Sequence, residues 1–166
     1  MIDGLITPIL TPFKRENNQE INYQSTEKMI NHLINHGVNG IFALGSNGEF
    51  HVLSREEKIS FVKKVKEFVA GRVPVYAGTG ACSTEETIVL SQEMEKLGVD
   101  GISVIAPYFI DLNEDELVEH YRAVAKSVKI PVILYNIPRL TGNPLTPAIV
   151  ERLAPLENVV CVKDSS

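Results

Sequence analysis

A repeated alternation of two hydrophobic patterns constrains the fold of this chain more than any other feature. Short apolar runs rich in β-branched residues predict strands, and the amphipathic stretches between them predict helices. The predicted strands are residues 4–10, 40–44, 73–77, 101–105, 132–135 and 159–163. Strands that recur about every 30 residues with a helix between them indicate parallel βαβ units. The chain is therefore predicted to be an α/β protein.

Capping signals mark where the intervening helices begin and end. The predicted starts are Ser54 with Glu57, Ser83 with Glu86, Asn113 with Glu116, and Thr146 before Pro147. The predicted stops are Gly37, Gly71 and Gly98, because a left-handed glycine commonly closes a last helical turn. The spacing of Val62, Val65 and Val69 gives the second helix an apolar face, which is expected to pack on a sheet.

Two architectures fit this pattern, and the ends of the strands distinguish them. An open doubly wound sheet suits 166 residues, whereas an eight-unit barrel typically needs about 250. Unusual residues, however, follow nearly every strand: GSNGE, GTG, APYF, YNIP and KDSS. An open sheet gathers its site at one switch point, whereas a barrel brings all strand ends to one mouth. We therefore predict a TIM (β/α)8 barrel truncated to about six parallel strands and five helices.

Residues 1–166 are accordingly expected to form a single domain, with barrel units 1–5 plus strand six. Such a chain cannot close the barrel, so strands one and six would each present unpaired backbone groups.

Composition excludes several classes of protein. A hydrophobic fraction of 44% excludes disorder, and a net charge of -5 without a basic cluster argues against nucleic-acid binding. No apolar run approaches the roughly 20 residues that span a bilayer, so the protein is expected to be cytoplasmic and not bound to a membrane. Cys82 and Cys161 are expected to be reduced thiols that pack as small apolar residues.

Lys163 is the candidate nucleophile. It ends an apolar strand, where burial would disfavour the ammonium form and lower its pKa. A neutral amine can attack a ketone. The alternative is a lysine that merely ends a strand and extends its amine to water.

Tyr135 ends the preceding strand, next to Lys163 in a sequential barrel. A phenol there can donate and accept the protons that imine chemistry requires. The alternative is a tyrosine whose ring packs in the core and whose hydroxyl finds a partner.

The loop after strand two carries Ser46, Asn47 and Glu49 between glycines. Its glycines can turn backbone N–H groups inward, and Ser46 and Asn47 add side-chain donors, which suits a carboxylate. An ordinary turn is the alternative. Glu49 is expected to have a structural role.

Histidines and acidic residues give no convincing metal site. His32 and His36 have i, i+4 spacing but no evident third ligand, while His51 and His120 are isolated. We expect no metal and no cofactor.

In their order and spacing, these motifs resemble the dihydrodipicolinate synthase and N-acetylneuraminate lyase family of class I pyruvate aldolases. The resemblance runs along the whole chain, from LITPILTPF through GSNGE, GTGA, APYF and YNIP followed by TG to KDSS. It implies that Lys163 forms an imine with pyruvate or another 2-oxo acid, that Tyr135 is the acid and base, and that Ser46 and Asn47 hold the substrate carboxylate region. It further implies an aldehyde as second reactant and a homo-oligomer, a dimer or tetramer, for the complete protein.

Three departures bear on the branch of the family. Ser46 and Asn47 stand where the synthase has two threonines, Phe109 where it has a tyrosine, and Leu140 where it has an arginine, with Arg139 one place earlier. GSNGEF and PRLTG instead resemble aldolases of 2-keto-3-deoxy sugar acids and 4-hydroxy-2-oxoglutarate. Such an aldolase is the expected function. The alternatives are 4-hydroxy-tetrahydrodipicolinate synthase in lysine biosynthesis and a catalytically inert fragment or association module.

Overall fold

The computed structural model describes residues 2–16 and 20–166. The chain divides into two compact units, residues 1–78 and 79–166. The prediction that residues 1–166 form one domain stays a prediction. Within the described ranges, no helix combines the length and the apolar character needed to cross a membrane.

The described residues of the first unit form three parallel strands. The strands pair in the order β1, β2, β3, with Ile6 opposite Gly40 and Ile41 opposite Val75. The elements are β1 (Ile6–Pro8), α1 (Tyr23–Asn35), β2 (Gly40–Ala43), α2 (Arg55–Val69) and β3 (Val75–Gly78), with 3-10 turns at Ser46–Gly48 and Phe50–Val52. Every residue of β2 and β3 is buried.

The second unit also contains three parallel strands, paired in the order β4, β5, β6. Its elements are α3 (Thr84–Lys96), β4 (Gly101–Ile105), α4 (Glu114–Ser127), β5 (Val132–Asn136), α5 (Pro138–Thr141), α6 (Pro147–Leu153) and β6 (Val159–Asp164). The short helix α5 was not predicted. Ile105 lies opposite Tyr135 on β5, which in turn lies opposite Lys163 on β6.

The predicted helix starts are confirmed. Ser54 Oγ accepts from the Glu57 N–H at 3.1 Å, and the Glu57 carboxylate accepts from the Ser54 N–H at 2.8 Å, which makes a complete capping box. Asn113 and Glu116 form the same arrangement. The Ser83 side chain accepts from the N–H of Glu86. The Thr146 side chain accepts from the N–H of Ile149, and Pro147 is the first residue of that helix.

The predicted helix stops and the apolar face are confirmed as well. Gly37, Gly71 and Gly98 have φ of +83°, +71° and +72°, the left-handed conformation that ends a helix. The apolar face of α2 is buried at Val62, Val65 and Val69, and this burial provides much of the core of the first unit.

Strand β6 departs from its prediction. An apolar sequence predicted a buried strand, but Val160 and Val162 are 47% and 40% exposed, and Lys163 is half-buried. The reason is a lack of neighbours: within the described residues β6 pairs only with β5, and no helix follows it. The predicted burial of Lys163 is therefore corrected to partial burial.

The two cysteines also depart from their prediction. Cys82 and Cys161 are free thiols and both are exposed, so neither packs as a small apolar core residue. Cys161 is exposed for the same reason as the rest of β6, which lacks cover on that side of the described chain.

Candidate functional site

Lys163 and Tyr135 lie side by side at the carboxyl ends of neighbouring strands. The parallel register pairs Tyr135 on β5 with Lys163 on β6. The Nζ atom of Lys163 lies 3.4 Å from the centroid of the Tyr135 ring. A cation above an aromatic face is attracted by the ring quadrupole. The structure thus brings together the two residues predicted to be catalytic, whereas their catalytic roles stay predictions.

The two residues of this pair differ in burial. Tyr135 is buried, with only 5% of its surface exposed, because β5 lies between β4 and β6. Lys163 is half-buried, and its Nζ donates a hydrogen bond to Ser165 Oγ at 3.1 Å. The Lys163 amine therefore lies between the face of the buried Tyr135 ring and the Ser165 hydroxyl, which accepts its hydrogen bond.

The residue after each of these two also takes part in the site. Asn136 Nδ2 donates to Asp164 Oδ1 at 2.9 Å, and the Ser165 N–H donates to the Asn136 carbonyl at 2.9 Å. The backbone N–H of Ser166 and the Asn136 amide hold the pKa of the Asp164 carboxyl below its ordinary value. The carboxylate of Asp164 is therefore anchored in its charged form.

The loop after β2 forms a compact turn. Ser46–Gly48 is a 3-10 turn, and Glu49 that follows has φ of 54°. The N–H groups of Gly48 and Glu49 close this turn on the carbonyls of Gly45 and Ser46. These two amides are therefore committed within the turn, so the predicted carboxylate binding depends on Ser46, which is half-buried, and Asn47, which is exposed. Glu49 is exposed.

Two glycines of the predicted GTG turn are required by close backbone approach. A Cβ at Gly78 would lie 2.1 Å from the carbonyl oxygen of Leu44 in the first unit. In the second unit, a Cβ at Gly80 would lie 2.4 Å from Ile105 Cγ2 and 2.8 Å from the Ile105 carbonyl oxygen. Both contacts lie at or just after a strand end, and they explain why the motif uses glycine.

Strained backbone occurs next to the strand ends. Leu44, just after β2, has φ of 58°, and Phe109, after β4, has φ of 85°. Non-glycine residues rarely take this conformation, and it concentrates at functional sites. Sequence analysis missed this strain, because neither leucine nor phenylalanine favours a left-handed backbone.

The loop that carries Phe109 is held by an asparagine that sequence analysis also missed. Asn143 is 1% exposed. Its Nδ2 donates to the carbonyls of Pro107 and Ile110 at 2.8 and 2.9 Å, and its Oδ1 accepts from the Leu112 N–H at 2.8 Å. This clamp presents the Phe109 side chain to solvent with 91% of its surface exposed.

The side chain of Tyr108, which lies after β4, has an environment that changes its pKa. Burial raises the pKa of Tyr108 to about 12, and the thiol of Cys82 beside it adds to the shift.

Arg139 and Leu140 lie on α5, and both are exposed, Leu140 to 53%. Leu140 thus presents an apolar side chain to solvent shortly after β5.

Metal-binding residues are not clustered in the part of the chain that the structure describes, where no group of three potential ligands occurs. His32 and His36 instead contact each other, with ring centroids 4.2 Å apart, and a hydrogen bond joins His36 Nδ1 to the His32 carbonyl.

Comparison with known proteins gives consistent matches along the whole chain. The model of the dihydrodipicolinate synthetase family matches residues 1–166. The 4-hydroxy-tetrahydrodipicolinate synthase of Kosmotoga olearia is 40% identical over 166 residues, which are 100% of this chain and 55% of that protein. The putative 2-dehydro-3-deoxy-D-gluconate aldolase YagE of Escherichia coli is 42% identical over 99% of this chain and 54% of its own length.

Solved structures agree with these sequence matches. Dihydrodipicolinate synthase from Acinetobacter baumannii, complexed with pyruvate, has a TM-score of 0.96 and 37% identity over 100% of this chain and 56% of its own. YagE in complex with pyruvate has a TM-score of 0.92 and 41% identity over 97% of this chain and 54% of its own.

These matches confirm the predicted fold class, that of a truncated (β/α)8 barrel. This chain spans about half the length of the proteins it matches.

Proposed function

The chain belongs to the dihydrodipicolinate synthetase family, and from that membership we propose that it is a class I aldolase or lyase whose Lys163 forms a Schiff base with pyruvate or a related 2-oxo acid. The observation that carries the proposal is the position of the Lys163 amine, 3.4 Å from the centroid of the Tyr135 ring at the ends of paired strands. Support also comes from two relatives whose solved structures contain pyruvate.

The proposed reaction starts when the Lys163 amine, having lost a proton, adds to the C2 carbonyl of a 4-hydroxy-2-oxo acid. Loss of water from the carbinolamine gives the imine, whose protonated form accepts electrons. The C3–C4 bond then breaks, its electron pair forms an enamine, and the C4 hydroxyl loses a proton as the aldehyde departs. Protonation at C3 and hydrolysis of the imine release pyruvate and regenerate the amine.

Tyr135 is proposed as the group that moves these protons. Carbinolamine dehydration needs a donor, and cleavage needs an acceptor for the C4 hydroxyl proton. The Lys163 amine lies over the face of the Tyr135 ring, and the phenol belongs to a side chain of which only 5% is exposed. Ser46 and Asn47 are proposed to hold the substrate carboxylate region.

Among possible substrates, a 2-keto-3-deoxy sugar acid or 4-hydroxy-2-oxoglutarate fits the second unit best. The arginine of the synthase would bind a second carboxylate, but Leu140 occupies that position and is 53% exposed, and Phe109 lacks the hydroxyl of the synthase tyrosine. Sequence identity does not separate the branches, since the synthase of Kosmotoga olearia and YagE are 40% and 42% identical to this chain. The synthase activity therefore remains the alternative.

The complete protein is proposed to be a homo-oligomer, a dimer or tetramer. Phe109 and Ile110 are 91% and 62% exposed on one loop, and large exposed apolar side chains that lie together suit a protein interface. Light scattering of the protein in solution tests this proposal, and a monomer at all concentrations contradicts it.

Trapping with borohydride tests the catalytic proposal. The chain is incubated with pyruvate and borohydride, digested, and examined by mass spectrometry for the reduced adduct on Lys163. We expect an adduct on wild type and on Lys126→Met, which removes an exposed lysine of α4, but not on Lys163→Met. Tyr135→Phe should slow adduct formation by about 10²-fold or more. Absence of adduct, while a pyruvate aldolase labels in parallel, would favour the inert fragment.

The reaction itself is identified by substrate comparison. Cleavage of 2-keto-3-deoxygluconate, 4-hydroxy-2-oxoglutarate and N-acetylneuraminate is measured beside condensation of pyruvate with aspartate semialdehyde. We expect cleavage of one of the first two. Robust condensation on the semialdehyde would replace the proposed branch with the synthase.

A further inference from the structure

We propose that Asn136 is a positioning residue for Lys163, which fixes the carboxyl end of β6 so that the amine stays above the Tyr135 ring. This inference rests on the proposed function of Lys163. Asn136 is the last residue of β5 and lies opposite Asp164, the last residue of β6. It follows Tyr135 directly, and its partner directly follows Lys163.

Both ends of the Asn136 side chain are engaged. Its Oδ1 accepts from the Leu145 N–H at 3.0 Å, and its Nδ2 donates to Asp164 Oδ1 at 2.9 Å. Its backbone carbonyl accepts from the Ser165 N–H at 2.9 Å. Only 9% of Asn136 is exposed, so water competes little for its buried bond with the Leu145 N–H. One residue thus joins β5, the segment before α6 and the end of β6.

These contacts hold the two residues that directly follow Lys163. Asp164, the next residue, is held by the Asn136 amide, and Ser165 is held by the Asn136 carbonyl. Ser165 in turn accepts the hydrogen bond from Lys163 Nζ. The backbone beyond Lys163 and the acceptor of its amine are therefore both fixed through Asn136.

Within the described residues, pairing with β5 and the contacts of Asn136 hold the carboxyl end of β6. Within the described residues it pairs only with β5, and Val160 and Val162 are largely exposed. A strand held on one edge frays at its end more readily than one held on both. Asn136 acts at the end that carries the amine. Displacement of a reacting group by about 1 Å can cost about 10²-fold in rate.

An amide is the side chain that this position requires. An aspartate could still accept from the Leu145 N–H, but it would face the Asp164 carboxylate and repel it. Exchange of the two residues, Asn136→Asp with Asp164→Asn, restores a donor and an acceptor across the same gap. The exchange therefore tests the hydrogen bond itself rather than the residue type.

A spectroscopic experiment tests the position of the amine without any substrate. The lysines are reductively methylated with 13C, and the Lys163 methyl signal is assigned by its loss in Lys163→Met. Because Nζ lies 3.4 Å from the Tyr135 ring centroid, we expect this signal upfield of the other lysines through the ring current. In Asn136→Asp it should move towards the exposed lysines, and in Asn136→Asp/Asp164→Asn it should return.

A matched control removes an asparagine at the opposite end of β6. Asn158 Nδ2 donates to the carbonyls of Ala125 and Val128 at 2.8 and 3.1 Å. Asn158→Ala removes two hydrogen bonds of similar kind, far along the strand from the amine. We expect it to leave the Lys163 signal in place. If Asn158→Ala moves the signal as much as Asn136→Asp does, general loosening of β6 explains the result and the proposal is wrong.

The trapping assay adds the functional consequence. We expect Asn136→Asp to lower the maximal rate of borohydride-trapped adduct on Lys163 by about 10-fold or more, while the half-saturating pyruvate concentration changes by less than about 3-fold, and the exchange variant to recover. An unmoved methyl signal in Asn136→Asp overturns the positioning role. An unlabelled wild type with a moved signal overturns the proposed function alone.

Discussion

Strands β5 and β6 carry the two proposed catalytic residues, and they have similar apolar sequences but opposite environments. Every residue of β5 is buried, whereas β6 is half-buried or exposed along its length. β5 has a paired strand on each edge, while β6 pairs on one edge only within the described residues. Burial is therefore set by the neighbours of a strand and not by its own hydrophobicity.

The difference in burial between β5 and β6 also applies to the two residues of the proposed site. Tyr135 stands on a strand whose position is fixed by packing on both sides, and Lys163 on one whose position depends on β5 and on polar contacts at its end. Because Tyr135 is held on both sides and Lys163 is not, the position of Lys163 is expected to be the more sensitive of the two to changes in its surroundings. Substitutions in the two strands can measure this contrast.

The largest effect is expected for Leu134→Ala. Leu134 on β5 is fully buried, so the change removes apolar contacts and leaves a cavity, at a cost of about 2–5 kcal/mol in the free energy of unfolding. Urea denaturation followed by circular dichroism measures this value. Val162, its register partner on β6, provides the control: Val162→Ala should cost under about 1 kcal/mol. Similar losses for the two variants would show that β6 is as well packed as β5.

Acid should lower the free energy of unfolding through His120 on α4. His120 is 4% exposed, its Nδ1 bonds to Thr84 Oγ1 at 2.9 Å, and its Nε2 has no partner among the described residues. Burial lowers the pKa of His120 from 6.5 to about 4. Between these pH values the unfolded chain binds a proton that the folded chain does not. Stability should therefore fall as pH falls from about 6.5 to about 4, by up to about 3 kcal/mol.

The test of this acid effect is the pH dependence of urea midpoints for wild type and His120→Gln. Glutamine can still bond to Thr84 but does not titrate, so its curve should be flatter over the same range. Asp164, on the exposed strand, acts only at lower pH: its pKa is depressed below 3.8, so the stability it adds is present above that value and lost as pH falls through the depressed pKa. Parallel curves for the two proteins would contradict the role of His120.

A smaller effect is expected at the start of α4. This helix is joined to β4 by Tyr121, whose hydroxyl donates to the Val104 carbonyl at 3.2 Å. Asn113→Ala removes the cap that accepts from the Glu116 N–H at 3.0 Å and should cost about 1 kcal/mol in the free energy of unfolding. Glu116→Gln keeps an acceptor for the Asn113 N–H, so its cost should be smaller. An equal loss in both would point to charge at the helix start rather than to the cap.

Sequence predicted the elements well because their signals are local. The capping residues Ser54 and Asn113 and the helix-ending glycines act within one helical turn, and their positions were confirmed. The strand β1 was predicted too long, at 4–10 rather than Ile6–Pro8, because its length is set by the residues of β2 that pair with it. The adjacency of Tyr135 and Lys163 followed from the order of the strands.

The features that sequence did not predict depend on residues distant along the chain. The exposure of β6 reflects the neighbours it has. The loop around the left-handed Phe109 is held by Asn143, whose bonds to the Pro107 and Ile110 carbonyls span 36 and 33 residues. The bond from Asn136 to Asp164 likewise spans 28 residues. No periodicity or short motif records such pairs, so they become visible only when the strands are assembled.

The smallest effect is expected for Val162→Thr on β6. Threonine has nearly the shape of valine and favours strands equally well, and at a site 40% exposed its hydroxyl can reach water. The free energy of unfolding should change by less than about 0.5 kcal/mol. Val132→Thr makes the same exchange on β5, where the side chain is fully buried, and should cost about 1–3 kcal/mol because the hydroxyl loses its hydration. A Val162→Thr loss as large as that of Val132→Thr would mean that β6 is covered in solution, by a second copy of the chain or by another partner. A loss that becomes smaller when the protein is diluted would identify the second copy as the cover.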